Sequence, residues 1–119
     1  MAKLRFGELE AAIDAGDVQF QKTLEQAAHA FLDTLHALEE DPKTGSECVI
    51  GYCEAVFSLF NTLFGEGTDK KMFGTRANVK TCNDALLALA RAMARANRAC
   101  VKHMRASAQA IGRAAEEGR

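Results

Sequence analysis

Five basic residues near the C-terminal end, Arg91, Arg95, Arg98, Lys102 and Arg105, recur at intervals of four, three, four and three. On a helix that spacing gathers them on one face, roughly opposite Met93, Cys100 and Met104. Such a stripe can contact a phosphate backbone with a steep salt dependence. It can also meet an acidic protein surface, or form a solvated back face, which is the commonest use of a charge run. No aromatic residue is interleaved and Tyr52 is the one tyrosine, so base stacking has no platform. Among ligands for the stripe, a protein partner is therefore expected ahead of nucleic acid.

Other residue types that do chemistry lack the spacing for it. His29 and His36 lie seven apart, with Glu25 and Asp33 nearby. Two helical turns separate them by about 10 Å along the axis, too far to share one metal ion. His36 and Glu39 make a His-x-x-Glu pair, but no second such pair completes a di-metal bundle site. His103, among arginines and a lysine, reads as a surface residue. The four cysteines, Cys48, Cys53, Cys82 and Cys100, have no C-x-x-C spacing and fall inside expected helices, so they read as reduced, small apolar residues. Gly65-Glu66-Gly67-Thr68-Asp69-Lys70-Lys71 brings glycines, a helix start and lysines together, but it is not G-x-x-x-x-G-K-[ST] and follows no strand. Glycine pairs chiefly mark turns, and a helix–turn–helix corner is the reading here. Neither Ser58, Ser107 nor any cysteine belongs to a recognisable grouping of nucleophile, base and orienter. No cofactor, metal, small-molecule substrate or catalytic role is expected.

The elements that must carry these residues are legible from apolar spacing. Val49, Cys53, Val56, Phe60 and Leu63 recur at helical intervals, with Ile50, Phe57 and Phe64 alongside. That face is wide enough to be buried on more than one side. Thr44-x-x-Glu47 is a capping box at its start, and Gly65 suits a left-handed C′ position at its end. Four of the seven phenylalanines (Phe57, Phe60, Phe64 and Phe73) lie in or just after this helix.

Before it, Leu24, Ala28, Phe31, Leu35 and Leu38 mark a helix with a narrow seam. Asp14 or Asp17 caps it, and Pro42 ends it near Glu40. A tight loop over 41–45 makes the two helices antiparallel neighbours. Residues 3–13 alternate around Gly7-Glu8 as a short hairpin would, although Phe6, Leu9 and Ile13 also fit a helical face.

After Gly65, Thr68 caps a short helix that Gly74 terminates, and Asn78 caps a last helix running to about Glu117. Its apolar or small positions are Cys82, Leu86, Leu89, Met93, Cys100, Met104 and Ile111, and Asn97 interrupts them as a register-setting polar residue would. Such a helix is about 55 Å long at 1.5 Å per residue. That exceeds the diameter of a domain this size, so the part from about Arg95 projects, packs on another subunit, or frays.

With 119 residues, 48% hydrophobic and a net charge of −1, the chain suits one soluble domain. Its charge is unevenly placed. Residues 1–41 hold nine acids against Lys3, Arg5 and Lys22, a net −6, and residues 79–115 hold seven bases against Asp84, a net +6. Antiparallel pairing of the first and last helices, within or between chains, would bring those segments together. No apolar run of 18 or more residues and no leader-like segment is present, so neither a membrane span nor a signal peptide is expected.

The run Tyr52-Cys53, Ala55-Val56-Phe57, Phe60, Phe64-Gly65-Glu66-Gly67-Thr68, Lys71, Phe73-Gly74, Asn78 and Cys82 resembles a family of small helical proteins encoded by phages and prophages of Gram-positive bacteria. Their shared pattern is F-G-E-G-T-x-x-K-x-F-G-x-x-x-N, preceded by a cysteine-containing helix and often by a short apolar hairpin. The resemblance covers roughly residues 48–90 and is looser before them. From about Arg91 the chain departs from the pattern. The resemblance implies a structural role for Phe64, Gly65, Gly67, Thr68, Phe73, Gly74 and Asn78, and no catalytic residues. It also implies a place in tail morphogenesis, where helical, oligomeric chaperones shield the hydrophobic tape measure protein.

The expectation is thus an all-α domain of three principal helices and a short one, with a long last helix and a possible N-terminal hairpin. It is a self-associating, non-enzymatic tail assembly factor in the host cytoplasm that binds the tape measure protein or another tail protein. The alternative is a nucleic-acid-binding phage protein using Arg91, Arg95, Arg98, Lys102 and Arg105.

Overall fold

The computed structural model describes residues 2–41 and 44–118. The elements are strands β1 (Ala2–Phe6) and β2 (Leu9–Ile13), then helices α1 (Val18–Glu40), α2 (Gly45–Phe64), α3 (Thr68–Phe73) and α4 (Val79–Glu117). The fold is helical with a two-stranded antiparallel hairpin at its start. Pro42 and Lys43, two of the five residues of the expected tight loop, lie outside the described residues.

The hairpin pairs Ala2 with Ile13 and Phe6 with Leu9. Strand alternation therefore puts Leu4, Leu9 and Ile13 on one face, where all three are buried, and Lys3, Arg5 and Glu10 on the other. That apolar face packs chiefly on α4 and, near its turn, on α3. A helical reading of Phe6, Leu9 and Ile13 is thereby excluded.

Local capping chemistry sets the helix boundaries. Asp17, not Asp14, caps α1, its Oδ1 accepting from Gln19 N–H at 3.0 Å. Thr44 Oγ1 accepts from Glu47 N–H at 3.3 Å to open α2, and Asn78 Oδ1 accepts from Thr81 N–H at 3.2 Å to open α4.

The corner between α2 and α3 differs from expectation in two details. Gly65 has φ 105 and ψ 160, a glycine-only extended conformation and not the left-handed helical one. The left-handed residue is Gly67, at φ 89 and ψ −6, and it is the N-cap of α3. Thr68 is inside the helix, its hydroxyl donating back to Gly65 O at 2.6 Å. The Asn61 side chain in α2 takes the cap's usual place by accepting from Asp69 N–H at 2.9 Å.

Helix α2 is central. One side packs against α1, with Phe20 beside Phe64 and Phe31 beside Tyr52, so α1 and α2 are antiparallel. Its other side faces α4, α3 and the hairpin through the buried Cys53, Val56 and Phe60. Tyr52 Oη donates to Asn83 Oδ1, tying the middle of α2 to the start of α4. At the other end Phe64 lies beside Phe20, close to the β2–α1 turn that approaches Cys100. Helices α2 and α4 therefore run in the same direction.

The apolar face of α2 is covered only from Gly51 onward. Val49 and Ile50, part of the expected stripe, are 41% and 50% exposed. The α1 stripe Leu24, Ala28, Phe31, Leu35 and Leu38 is half-buried along its length, because α2 is the one substantial helical neighbour it has.

Pairing of α1 with α4 does not occur within the chain. Apolar faces direct both helices onto α2 and the hairpin, and the net charges of −6 and +6 do not override that burial. By length and composition α2 is also the one described helix apolar enough to cross a membrane. Its packing against α1 on one side and α4, α3 and the hairpin on the other makes it the inner helix of a folded body.

Candidate functional site

The site begins with the way α4 leaves the body. Cys82, Ala85, Leu89, Ala92, Met93 and Ala96 recur at three- and four-residue steps and form its buried face. The hairpin and the β2–α1 turn reach as far as Cys100. From Val101 to Gly118 every residue is exposed. The molecule measures 71 × 31 × 21 Å, and its length reflects the final turns of a 39-residue helix standing clear of the rest. Within the single chain this segment is helical, and no other described part of the chain covers it.

The basic stripe lies on the face of α4 turned away from the core. The structure divides it into two parts. Arg91 and Arg95 flank β1, in a shallow groove with Lys3, Leu4, Arg5 and Ala88, and the Arg95 guanidinium donates to Lys3 O at 3.4 Å. Arg98, beside Asn97 and Val101, stands where the projecting half begins, and Lys102 and Arg105 stand on it. Among the described residues no carboxylate pairs with any of these five cations. The ion pairs elsewhere are local, such as Lys3–Glu10 at 2.9 Å across the hairpin, which with Arg5 holds the Glu10 carboxyl below its ordinary pKa. His36–Glu39 is 3.9 Å on α1, and Lys80–Asp84 is 3.0 Å in the first turns of α4.

A second feature of the projecting half was only partly visible in the spacing. Met104 and Ile111 were expected within the buried stripe, yet they are 61% and 72% exposed, and Val101 beside them is 44% exposed. The core stops at Ala96, with Cys100 half-buried one turn on, so the apolar face of the helix continues past the body. Val101 was missed because it lies next to the stripe that continues the core. With Ala108 and Ala115 it joins Met104 and Ile111 in one series, Val101, Met104, Ala108, Ile111 and Ala115, at steps of three and four.

A cleft of about 500 Å³ lies where the β2–α1 turn meets α4, lined by Asp14 and Gly16 on one side and Cys100, His103 and Met104 on the other. A thiol, an imidazole and a carboxylate thus share one cleft. Asp14 Oδ1 accepts from Gly16 N–H at 3.1 Å, which shapes its own turn. Among the described residues no hydrogen bond or ion pair joins Asp14, Cys100 and His103. His29 and His36 are both exposed on α1. Among the described residues no group of three histidine, cysteine or acidic side chains could hold a metal ion.

Cys53 and Cys82 face each other in the core, both wholly buried. Burial first, and then the hydrogen bond with Cys53, push the Cys82 thiol up to about 12. Cys48 is exposed and Cys100 half-buried. The glycine-corner residues Phe64, Gly65, Gly67, Thr68, Phe73 and Gly74 gather around α3, and Asn78 opens α4. Their work is to turn the chain and position the long helix.

The class defined by this arrangement is a small helical domain, stapled by an N-terminal hairpin, that displays an amphipathic helix beyond its own core. The chain belongs to a family of unknown function, DUF6673, whose match spans residues 7–115. That span includes most of the projecting half of α4. No curated protein and no solved structure matches the chain.

Proposed function

We propose that the protein is a non-enzymatic assembly factor of phage tail morphogenesis that binds the tape measure protein, or another tail protein, in the host cytoplasm before the tail tube forms. One observation carries the binding role: an ordered, amphipathic half-helix, Val101 to Gly118, serves no packing purpose in its own fold. The resemblance of Phe64–Asn78 to phage-encoded helical proteins supports the tail context. Self-association belongs to the same reading. It uses Val49, Ile50 and Val79, exposed at the end of the body remote from the projecting helix, and so leaves that helix free.

Co-expression with the tape measure protein encoded nearby tests the proposal. A soluble complex that co-purifies is expected. Unchanged solubility of the partner, with nothing co-purifying, would rule it out.

The second reading, nucleic-acid binding, is favoured by the solvent-facing Arg98, Lys102 and Arg105, which have no carboxylate partner among the described residues. A duplex titration at low and moderate salt distinguishes it, because phosphate contacts weaken steeply with salt.

A further inference from the structure

The projecting half of α4 carries two features in a fixed relation. Asn97, Val101, Met104, Ala108, Ile111 and Ala115 recur at four, three, four, three and four, the heptad spacing of a coiled-coil seam, and all are exposed. Arg98 and Arg105 each directly follow a seam position, so they form a cationic rim along one edge. The opposite edge, formed by Cys100, Ser107 and Ala114, is small and uncharged.

We propose that this seam is the docking strip for one helix of another protein, a helix with its own apolar seam and an acidic rim. The proposal rests on the assembly-factor reading above and names the chemistry of the partner segment.

A second copy does not fit. Two such helices laid antiparallel bring the Arg98 and Arg105 rims together, a like-charge contact. Laid parallel, they set each arginine rim against an uncharged edge and gain no charge pairing. Stable interfaces bury about 800 Å² per partner. A strip whose large side chains are Val101, Met104 and Ile111 does not supply that from identical halves. A foreign helix does better, with large side chains against Ala108 and Ala115 and carboxylates against Arg98 and Arg105. Nucleic acid would engage the arginines and leave the seam wet, and α4 has no phenylalanine, tyrosine or tryptophan on which a base could stack.

The test titrates the full chain with two designed helical peptides that share a leucine seam, one with a glutamate rim and one with a lysine rim. The glutamate-rim peptide is expected to bind at least tenfold more tightly. Met104→Glu combined with Ile111→Glu should weaken it tenfold or more while helicity and Tm hold, since both residues are exposed. Arg98→Glu combined with Arg105→Glu should reverse the preference toward the lysine rim.

Equal binding of both peptides, or binding that survives the seam variant, overturns the proposal. So does a fall in particle mass on seam substitution, which would make a second copy the occupant. Duplex binding that depends on the arginines, without peptide binding, overturns it as well. The same seam variant co-expressed with the tape measure protein separates the two levels. Retained co-purification would sink the docking strip and spare the assembly reading, whereas peptide binding without co-purification would do the reverse.

Discussion

The carbonyl oxygen of Met72 lies 2.5 Å from the point a β-carbon on Gly7 would occupy. The hairpin turn is therefore pressed backbone to backbone against α3, and Glu8 N–H donates to Lys71 O at 2.8 Å across the same contact. Gly7 also sits at φ +57, where a side chain is strained even with space around it. Gly7→Ala should destabilise the protein by about 2 kcal/mol or more, through strain and displacement of the hairpin together. Urea unfolding of the two proteins measures it. An unchanged midpoint would mean that the hairpin does not dock through this turn.

Phe73 is the hub of that junction. Its ring centroid is 5.7 Å from Phe6, 4.9 Å from Phe57 and 6.1 Å from Phe60, so it joins the hairpin, α2 and α3. Phe73→Ala should cost about 3 kcal/mol, and Phe73→Leu distinctly less, because leucine refills most of the volume but not the ring–ring contacts. The comparison is made by thermal unfolding. Equal losses for the two variants would show that ring geometry contributes little.

The buried thiols set an alkaline limit. The Cys82 pKa is raised from about 9 to about 12, and that of Tyr52 is raised by burial from its ordinary value near 10. A raised folded-state pKa favours the folded form fully below the unfolded pKa, and that contribution is lost as pH rises toward the folded value. Stability should therefore hold through neutral pH and decline from about pH 9 toward pH 12. Cys82→Ala should flatten the decline, though with a lower plateau from the lost volume. In the native protein a thiol reagent at pH 8 should label Cys48 rapidly and leave Cys53 and Cys82 untouched until unfolding. Rapid modification of Cys82 would contradict its placement.

Much of this architecture could be read along the chain because its signals are local. Asp17, Thr44 and Asn78 cap the helices that follow them, glycines sit at the corners, and the apolar periods mark the faces that meet. What could not be read depends on contacts distant in sequence. Nothing near Asn61 announces that its side chain will cap a helix eight residues on, and nothing near Gly7 names Met72 as its neighbour. Within the chain, charge misled for a physical reason. Opposite net charges on α1 and α4 suggested a pairing, yet exposed charges contribute little beside buried apolar faces, and those faces separate the two helices. The basic series was placed correctly on one face. Its division between Arg95 and Arg98 was not legible, because it depends on how far the hairpin reaches along the helix.

That division has a direct consequence for stability. If the residues after Cys100 add nothing to the core, a chain ending there should keep the body intact. Ala85, Ala92 and Ala96 remain buried against α2 and the hairpin, and the described residues removed, 101–118, are all exposed. The unfolding free energy should change by no more than about 1 kcal/mol, mostly from fraying at the new helix end. The hydrodynamic radius should fall as the long axis shortens, and binding of any partner through the projecting helix should disappear. Calorimetry and small-angle scattering on the full and shortened chains read both quantities. A large drop in Tm would show that the projecting helix folds back to support its own body in solution. The apolar strip beyond Cys100 would then be core and not a surface offered to another protein.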